Sequence, residues 1–328
     1  MRVTQRDIAR EAGVSQAVVS DVLHNRARGR VRPETRERIL AAAKALSYRP
    51  NASAQALRSR QSSQVAFVTT RQDIEGFAPF SEEVVGGLVQ TLAAQRLRLV
   101  LEVADSHEAI PSRLEELVAA GVCDSGIVRV FEEQEALWPA LKRLKAPLVV
   151  IGQCPDPELT SVAHDVPGII RAAQRLLEER GHERIGLLTG RRRGEYLRLI
   201  EAAWQEGLQQ SRRGTGWSAA ASDREEASLQ ATTWLSDPEG PRAIVCLNER
   251  TALGVTRAAL RSGMRIGEDL DLVVIGSRAQ SWLYEPGTHL FGTDLSAIGR
   301  RAAEALLPAM EQQPTPGPVR LLPELVRV

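Results

Sequence analysis

The stretch TQRDIAREAGVSQAVVSDVLH, residues 4–24, decides how this chain is read, because its spacing predicts two short helices joined by a tight turn. Thr4 can cap the first helix with Asp7 three residues on, and Ile8, Ala9 and Ala12 give that helix one small apolar face. Gly13 ends it by supplying the positive φ of a sharp turn. Val14 plugs the corner, and Ser15 caps a second helix whose Val19 and Val22 pack back onto the first. Gln16, Ala17, Ser20, Asp21 and His24 are then left facing away from the valines. Short polar side chains at the start of an exposed helix are what a recognition helix presents to base edges in a major groove. A small helical hairpin without a ligand can share this spacing, so the flanking sequence has to decide.

Residues 31–48, VRPETRERILAAAKALSY, predict a third helix with Pro33 in its first turn and Ile39, Ala43 and Leu46 on one face. Arg49-Pro50-Asn51-Ala52-Ser53-Ala54-Gln55-Ala56-Leu57 follows. With Ala9, Gly13, Val14 and Val19 in place and the Tyr48-x-Pro50-Asn51 ending, residues 3–60 resemble the lactose-repressor/galactose-repressor family of bacterial transcription regulators. The resemblance implies that residues 51–57 form a hinge helix that folds on the operator and drives a leucine, here Leu57, into the minor groove. The exposed face and the resemblance together assign DNA contacts to Thr4, Ser15, Gln16, Ala17, Ser20, Asp21, His24, Asn25, Asn51, Ala54, Gln55 and Leu57. Asp21 reads in two ways, as an acceptor from a cytosine N4 amine or as an ion-pair partner of Arg6 or Arg10. Residues 24–30 form a longer loop than the family usually has, rich in arginine, which suits either a flanking phosphate or solvent.

A length of 328 residues allows two or three domains. The net charge of +1 hides a split: residues 1–60 carry 13 Lys+Arg against 5 Asp+Glu, and residues 61–328 carry 29 against 36. A basic head on an acidic body confines polyanion contact to the head. The start MRVTQRDIAR has no apolar signal region, and no run approaches the ~18 apolar residues of a membrane span, so a cytoplasmic, nucleoid-associated protein is expected. Cys123, Cys154 and Cys246 form no CxxC or Cys/His spacing and fit reduced, buried thiols; no metal, disulfide or cofactor is implied.

From Gln64 onward, short apolar runs alternate with amphipathic stretches, as in βα units of a mostly parallel sheet. Strands are predicted near residues 65–69, 98–103, 126–130 and 147–151. A second series follows near 161–163, 184–188, 243–247, 272–275 and 289–292. Two such sets predict two doubly wound lobes with a cleft at the strand ends. The fold expected is an N-terminal all-α helix-turn-helix domain (1–50), a hinge helix and linker (51–63) and an α/β two-lobed body (64–328). The resemblance makes that body a periplasmic-binding-protein-like effector domain. Lobe 1 is expected at 64–164 and 288–313, and lobe 2 at 165–287 and 314–328, with crossings near Asp165, residues 287–292 and residues 314–318.

No GxSxG elbow, Walker loop or HExxH motif is present, so no catalytic constellation is expected. Alignment to the family pattern on Leu188-Thr189-Gly190 and Ala203-Trp204 puts Ile200 where a sugar-binding arginine usually stands. It puts Gly276 and Ser277 in place of an Asp-Asp pair, Gly152 in place of an aspartate and Gly292 in place of a polar residue. Asn248 survives, followed by Glu249. The effector candidates are Arg191, Arg193, Tyr196, Ile200, Trp217, Asn248, Glu249 and Ser277. The loop at 191–193 reads as an anion site or as solvated, and Trp217, in a Gly-rich loop, as a stacking surface or a packing plug.

These readings predict a repressor that binds a near-palindromic operator as a homodimer and responds to a small molecule. That effector is expected not to be a simple sugar but a flatter, more apolar or anionic molecule, or none. With no heptad run after residue 311, a dimer is expected and not a tetramer. A dimeric regulator without an effector and a DNA-tethered enzyme are the other classes considered.

Overall fold

In the computed structural model, residues 3–23, 31–48, 62–76, 78–130, 136–190, 194–210 and 215–327 are described. Contacts divide the chain into two units, Met1–Gln61 and Ser62–Val328. The head contains α1 (Gln5–Ala12), α2 (Gln16–Leu23) and α3 (Pro33–Ala45). Thr4 donates to Asp7 Oδ2 from both its backbone N–H (2.9 Å) and its hydroxyl (2.7 Å), fixing the start of α1. Gly13 takes φ 64°, and the next N–H, that of Val14, donates back to Ala9 O at 3.0 Å, so the turn closes on itself. Ile8, Ala9, Ala12, Val19, Val22, Ile39 and Ala42 form the head's small core.

The body opens with β1 (Gln64–Thr70), α4 (Arg71–Gly76), α5 (Ala78–Ala94), β2 (Arg98–Ala104), α6 (Ile110–Ala119), β3 (Ser125–Arg129), α7 (Leu137–Arg143), β4 (Leu148–Ile151) and β5 (Ser161–His164). It continues through α8 (Val166–Glu179), β6 (Arg184–Gly190), α9 (Glu195–Gln210), β7 (Thr215–Ala221), α10 (Arg224–Ser236), β8 (Ala243–Cys246), α11 (Glu249–Arg261), β9 (Asp271–Ser277), a 3-10 turn (Arg278–Leu283), β10 (His289–Thr293), α12 (Leu295–Met310), β11 (Val319–Leu321) and β12 (Glu324–Arg327). Two sheets result, in the orders β2-β1-β3-β4-β5-β11 and β7-β6-β8-β9-β10-β12. Only the β10–β12 pair is antiparallel among the described strands.

Alternate residues of each central strand feed opposite cores. Val65, Phe67, Ile127 and Val149 face one side of the first sheet, and Ala66, Val68, Val128 and Val150 the other. The second sheet does the same, with Ile185, Leu187, Val245 and Val273 on one face and Leu188, Ile244, Leu272 and Val274 on the other. Covering the first sheet brings α5 and α12 very close. A β-carbon at Gly87 would lie 2.1 Å from Ser296 O, and one at Gly299 2.1 Å from Val84 O, so glycine is needed at both.

The crossings between lobes differ from the sequence reading at two of three places. The first runs through Asp165, whose Oδ1 accepts from Gly168 N (3.1 Å) and starts α8. The second does not fall at residues 287–292: β10 stays in the second sheet, paired to β9, and the chain crosses at Asp294, which caps α12 through Ala297 N (2.8 Å). The third lies between β11 in the first sheet and β12 in the second, at residues 322–323 and not at 314–318. Strand β5, counted above with the second series, pairs to β4 in the first sheet. The turn at Gly287, φ 92°, resembles a boundary in sequence but only returns the chain to its own sheet. Strand β7, read above as a Gly-rich loop, forms the edge of the second sheet beside β6.

At the amino end of β9, Asp271 gathers three partners. Its carboxylate accepts from Arg180 Nε (2.8 Å) and NH2 (3.0 Å), from His182 Nε2 (2.5 Å) and, more weakly, from His289 Nε2 (3.4 Å). Burial alone raises its pKa, but the Arg180 and His182 bonds outweigh that and leave it below the ordinary carboxylate value. A carboxyl lowered on folding stabilises the fold above its unfolded pKa, and that stability is lost as pH falls through the lowered value. Asp271→Asn is expected to cost roughly 2 kcal/mol, less than a fully buried pair because Arg180 is partly solvated. Thermal melts at neutral pH and in acid check this, and the difference between wild type and variant should shrink in acid.

Candidate functional site

On the head, α2 presents Gln16, Ala17 and Asp21 to solvent, with Thr4 and Ser15 exposed beside it. Ser15 Oγ accepts from Val18 N at 3.4 Å, an N-cap that leaves the start of α2 open. Arg6 Nε donates to Gln16 Oε1 at 3.4 Å, which aims the glutamine amide. Arg10 pairs with Asp7 (3.8 Å), and Asp21 has no ion-pair partner among the described residues. Ser20 differs from the sequence reading: it is only 5% exposed. At about 100° per residue Ser20 falls between Gln16 and Ala17, inside the outward-facing arc, so its burial comes from neighbours that cover a small side chain and not from its direction on the helix. His24, Asn25, Asn51, Ala54, Gln55 and Leu57 lie outside the described residues.

In the body, a cavity of about 70 Å³ opens at the carboxyl ends of the second sheet's strands. Tyr196, Ile200, Asn248 and Ser277, all singled out from sequence, line it. Glu249 stands just behind the wall, 7% exposed, with Oε1 accepting from Ser277 N at 2.9 Å. Trp217 is not brought to the cavity. It pairs in register with Gly186, four residues before the end of β6, and packs on the core beneath α10 and α11. Arg191 and Arg193 lie outside the described residues.

Of the glycines that alignment puts in place of polar family residues, only Gly276 lines the cavity, and a β-carbon there would meet Glu249 Oε1 and Tyr284 OH, each at 2.9 Å. Gly152 and Gly292 are packing positions instead, the former with Val130 O 2.0 Å from where its β-carbon would be. The cavity residues not chosen from sequence include His164, Thr189, Leu247, Ile275 and Thr293. Each lies at or next to the carboxyl end of its strand, a position from which the strand-end rule could have found them.

Ser277 joins the lobes. Its hydroxyl accepts from Ala279 N (3.1 Å) and donates to Oε1 of Glu83 (2.5 Å), on α5 of the first lobe. Burial is the largest cause that raises the Glu83 carboxyl above its ordinary value; the Asp294, Glu249 and Glu82 charges add to it, and the Ser277 bond only partly offsets them. Nearby, Arg300 holds Asp294 at 2.9 Å, and Arg278 reaches Asp294 at 3.9 Å and Glu324 at 3.1 Å. Burial pushes the His164 imidazole down to about 4, so it is neutral near pH 7, and pushes the Cys246 thiol up to about 12. Among the described residues no cluster of His, Cys, Asp or Glu could hold a metal ion, and no helix is long and apolar enough to cross a membrane.

The head matches the family model "Bacterial regulatory proteins, lacI family" over residues 4–51, and the body matches "Periplasmic binding protein-like domain" over residues 175–327. The chain is 30% identical over 283 residues to the HTH-type transcriptional regulator GalS of Salmonella typhimurium, an alignment covering 84% of this chain and 79% of that protein. This chain belongs to the lacI family. It is also 26% identical over 333 residues to the lactose operon repressor of Escherichia coli, across 99% of this chain and 89% of that one. The fold of this lacI-family chain matches that of the Lac repressor dimer bound to operator and the anti-inducer ONPF, with a TM-score of 0.86 over 100% of this chain and 98% of the other, at 24% identity. Its named relatives are transcriptional regulators, not enzymes.

Because burial and the neighbouring carboxylates raise the Glu83 carboxyl by more than the Ser277 bond lowers it, the arrangement that buries Glu83 beside Ser277 is favoured as pH falls and weakened as pH rises through the raised carboxyl pKa. Small-angle scattering against pH is expected to show a more compact body in mild acid. Glu83→Gln, whose amide oxygen still accepts from Ser277, should hold that compact form at all pH values. An unchanged pH profile in the variant would contradict this.

Proposed function

We propose that this lacI-family chain is a cytoplasmic repressor that binds a near-palindromic operator as a two-fold dimer, with an affinity set by a small molecule in the cleft. The observation that carries the reading is the exposed face of Gln16, Ala17 and Asp21 on a helix otherwise sunk into the head's core. Such a face suits base edges, and the basic charge of residues 1–60 suits the phosphates around them. Asp21 is best used as an acceptor from cytosine N4, because a carboxylate beside phosphate is repelled and no described residue neutralises it. Leu57, on a segment too short to be a stable helix alone, is assigned the role of a wedge at a central pyrimidine–purine step.

The dimer is supported by exposed apolar side chains on both lobes: Val89 and Leu101 on the first, and Leu229, Leu260 and Trp282 on the second, the last 76% exposed. A second reading, a dimeric regulator whose body binds no effector, draws on the direct Ser277–Glu83 bond, in which a side chain of one lobe satisfies a side chain of the other. Operator affinity that no metabolite fraction alters would select it.

Selection of bound fragments from random DNA tests the main reading. Leu57→Gly is expected to abolish operator-specific binding while sparing salt-sensitive non-specific binding, and Asp21→Asn to relax preference at one base pair by about 1–3 kcal/mol. Equal loss of both binding modes with Leu57→Gly, or an unchanged selected site with Asp21→Asn, would contradict the assignments. In light scattering the chain is expected to be a dimer at micromolar concentration, and the pair Leu229→Ser with Trp282→Ser to shift it toward monomer. A stable tetramer would overturn this.

A further inference from the structure

The cavity's polar groups show what they can still bind once their bonds to the protein are counted. Thr189 Oγ1 donates to Ala219 O (3.3 Å), Thr293 Oγ1 donates to Gly276 O (2.9 Å), and Ser277 Oγ donates to Glu83. All three hydroxyl protons are therefore committed. Asn248 Oδ1 is committed too, as the acceptor from Thr251 N (2.9 Å) that caps α11. What remains is the Asn248 amide N–H pair, which has no partner among the described residues, and the ring of His164, whose Nδ1 has none either. A neutral imidazole offers one donor and one acceptor, and here it sits beside the cavity at the end of β5.

The remaining wall is Tyr196 and hydrocarbon, the latter from Leu197, Ile200, Leu247, Ile275 and Leu295. No charged side chain lines the cavity among the described residues. The charges behind it near Ser277 are the carboxylates of Glu83 and Glu249, both already accepting from that serine. Beside those carboxylates an anion would be repelled, and an ammonium would shed its water against an apolar wall that keeps the carboxylates behind it. A sugar fares no better, because its adjacent hydroxyls need paired partners and most of the cavity's are spent. The volume, about 70 Å³ at ~10–15 Å³ for a water, corresponds to about five to seven waters.

We propose that the cleft selects a small uncharged molecule, hydrocarbon over most of its surface, with one carbonyl or ether oxygen that accepts from the Asn248 amide. The proposal rests on the effector reading above and narrows its ligand class to the apolar alternative raised from the sequence; Arg191 and Arg193, which carried the anionic one, lie outside the described residues. Ile200, fully buried, is one of the aliphatic side chains that make the site apolar.

Four probes built on a six-membered ring test it on the full chain by thermal shift and calorimetry: cyclohexanone, cyclohexanecarboxylate, cyclohexylamine and glucose. Cyclohexanone is expected to bind and the other three not to. Asn248→Asp keeps the helix cap, since a carboxylate also accepts from Thr251 N, but removes the donors. It is expected to weaken cyclohexanone about tenfold, the loss of one hydrogen bond. Leu197→Phe, which narrows the cavity without touching Asn248, should abolish binding, and melting of both variants without probe verifies that they fold. Preferential binding of glucose or the carboxylate would overturn the ligand class, as would silence to all four probes at millimolar concentration. The effector reading is scored separately, by whether a small-molecule fraction of a cell extract releases the chain from its selected DNA. Release with silence to the probes would sink only the class proposed here, whereas the absence of any release would sink the effector reading itself.

Discussion

A parallel sheet has to be covered on both faces, and this requirement governs the body. Each central strand spends its alternate side chains on two opposite cores, so no strand interior is left to touch a ligand. Chemistry is confined to the carboxyl ends, where the backbone turns into the next helix and side chains meet open space. Thr189, Asn248, Ser277 and Thr293 occupy such ends, which is why one cavity collects residues more than a hundred positions apart. The same covering requirement forces α12 onto α5 at a distance only Gly87 and Gly299 permit. Those two helices form a single block that carries Glu83 to the cleft.

Aspartates mark two of the three points where the chain changes lobe. Asp165 and Asp294 each end a strand's run and cap the helix that follows, and the cap satisfies N–H groups that would otherwise be left without partners at a crossing. Near the second crossing the acid residues crowd. Asp294 and Glu249 lie close enough to Glu83 to raise its proton affinity, with Arg300 and Arg278 held against Asp294. The cleft therefore carries negative charge around an apolar, hydrogen-bonding lining. That combination differs from the carboxylate-and-guanidinium lining that sugar recognition calls for, and it follows from Ile200 and the hydroxyl residues more than from any missing glycine side chain.

Much of the candidate site was legible in the sequence, but not by one route. The head was read from spacing: the Thr4–Asp7 start, the Gly13 turn and the two valines each have a local cause and appear where expected. Ser20 was misplaced because a helical wheel gives directions and not the depth to which neighbours cover a small side chain. Tyr196, Ile200, Asn248 and Ser277 came from alignment to a family pattern, whereas His164 and the strand-end threonines needed the strands to be placed first. Trp217 misled because its glycine neighbours suggested a loop, although the segment pairs along its whole length with β6.

The sequence by itself determined the elements, since helix caps, turn glycines and alternating apolar runs depend on neighbours a few residues away. It also determined the charge split between head and body, which is a sum over residues and needs no coordinates. Only the tertiary structure decided which strands share a sheet, where the chain crosses between lobes and which hydrogen-bonding groups remain unspent in the cleft. The physical reason is that those outcomes depend on long-range pairing: β10 beside β9, β11 beside β5, and Ser277 held by Glu249 on one side and by Glu83, nearly two hundred residues away, on the other.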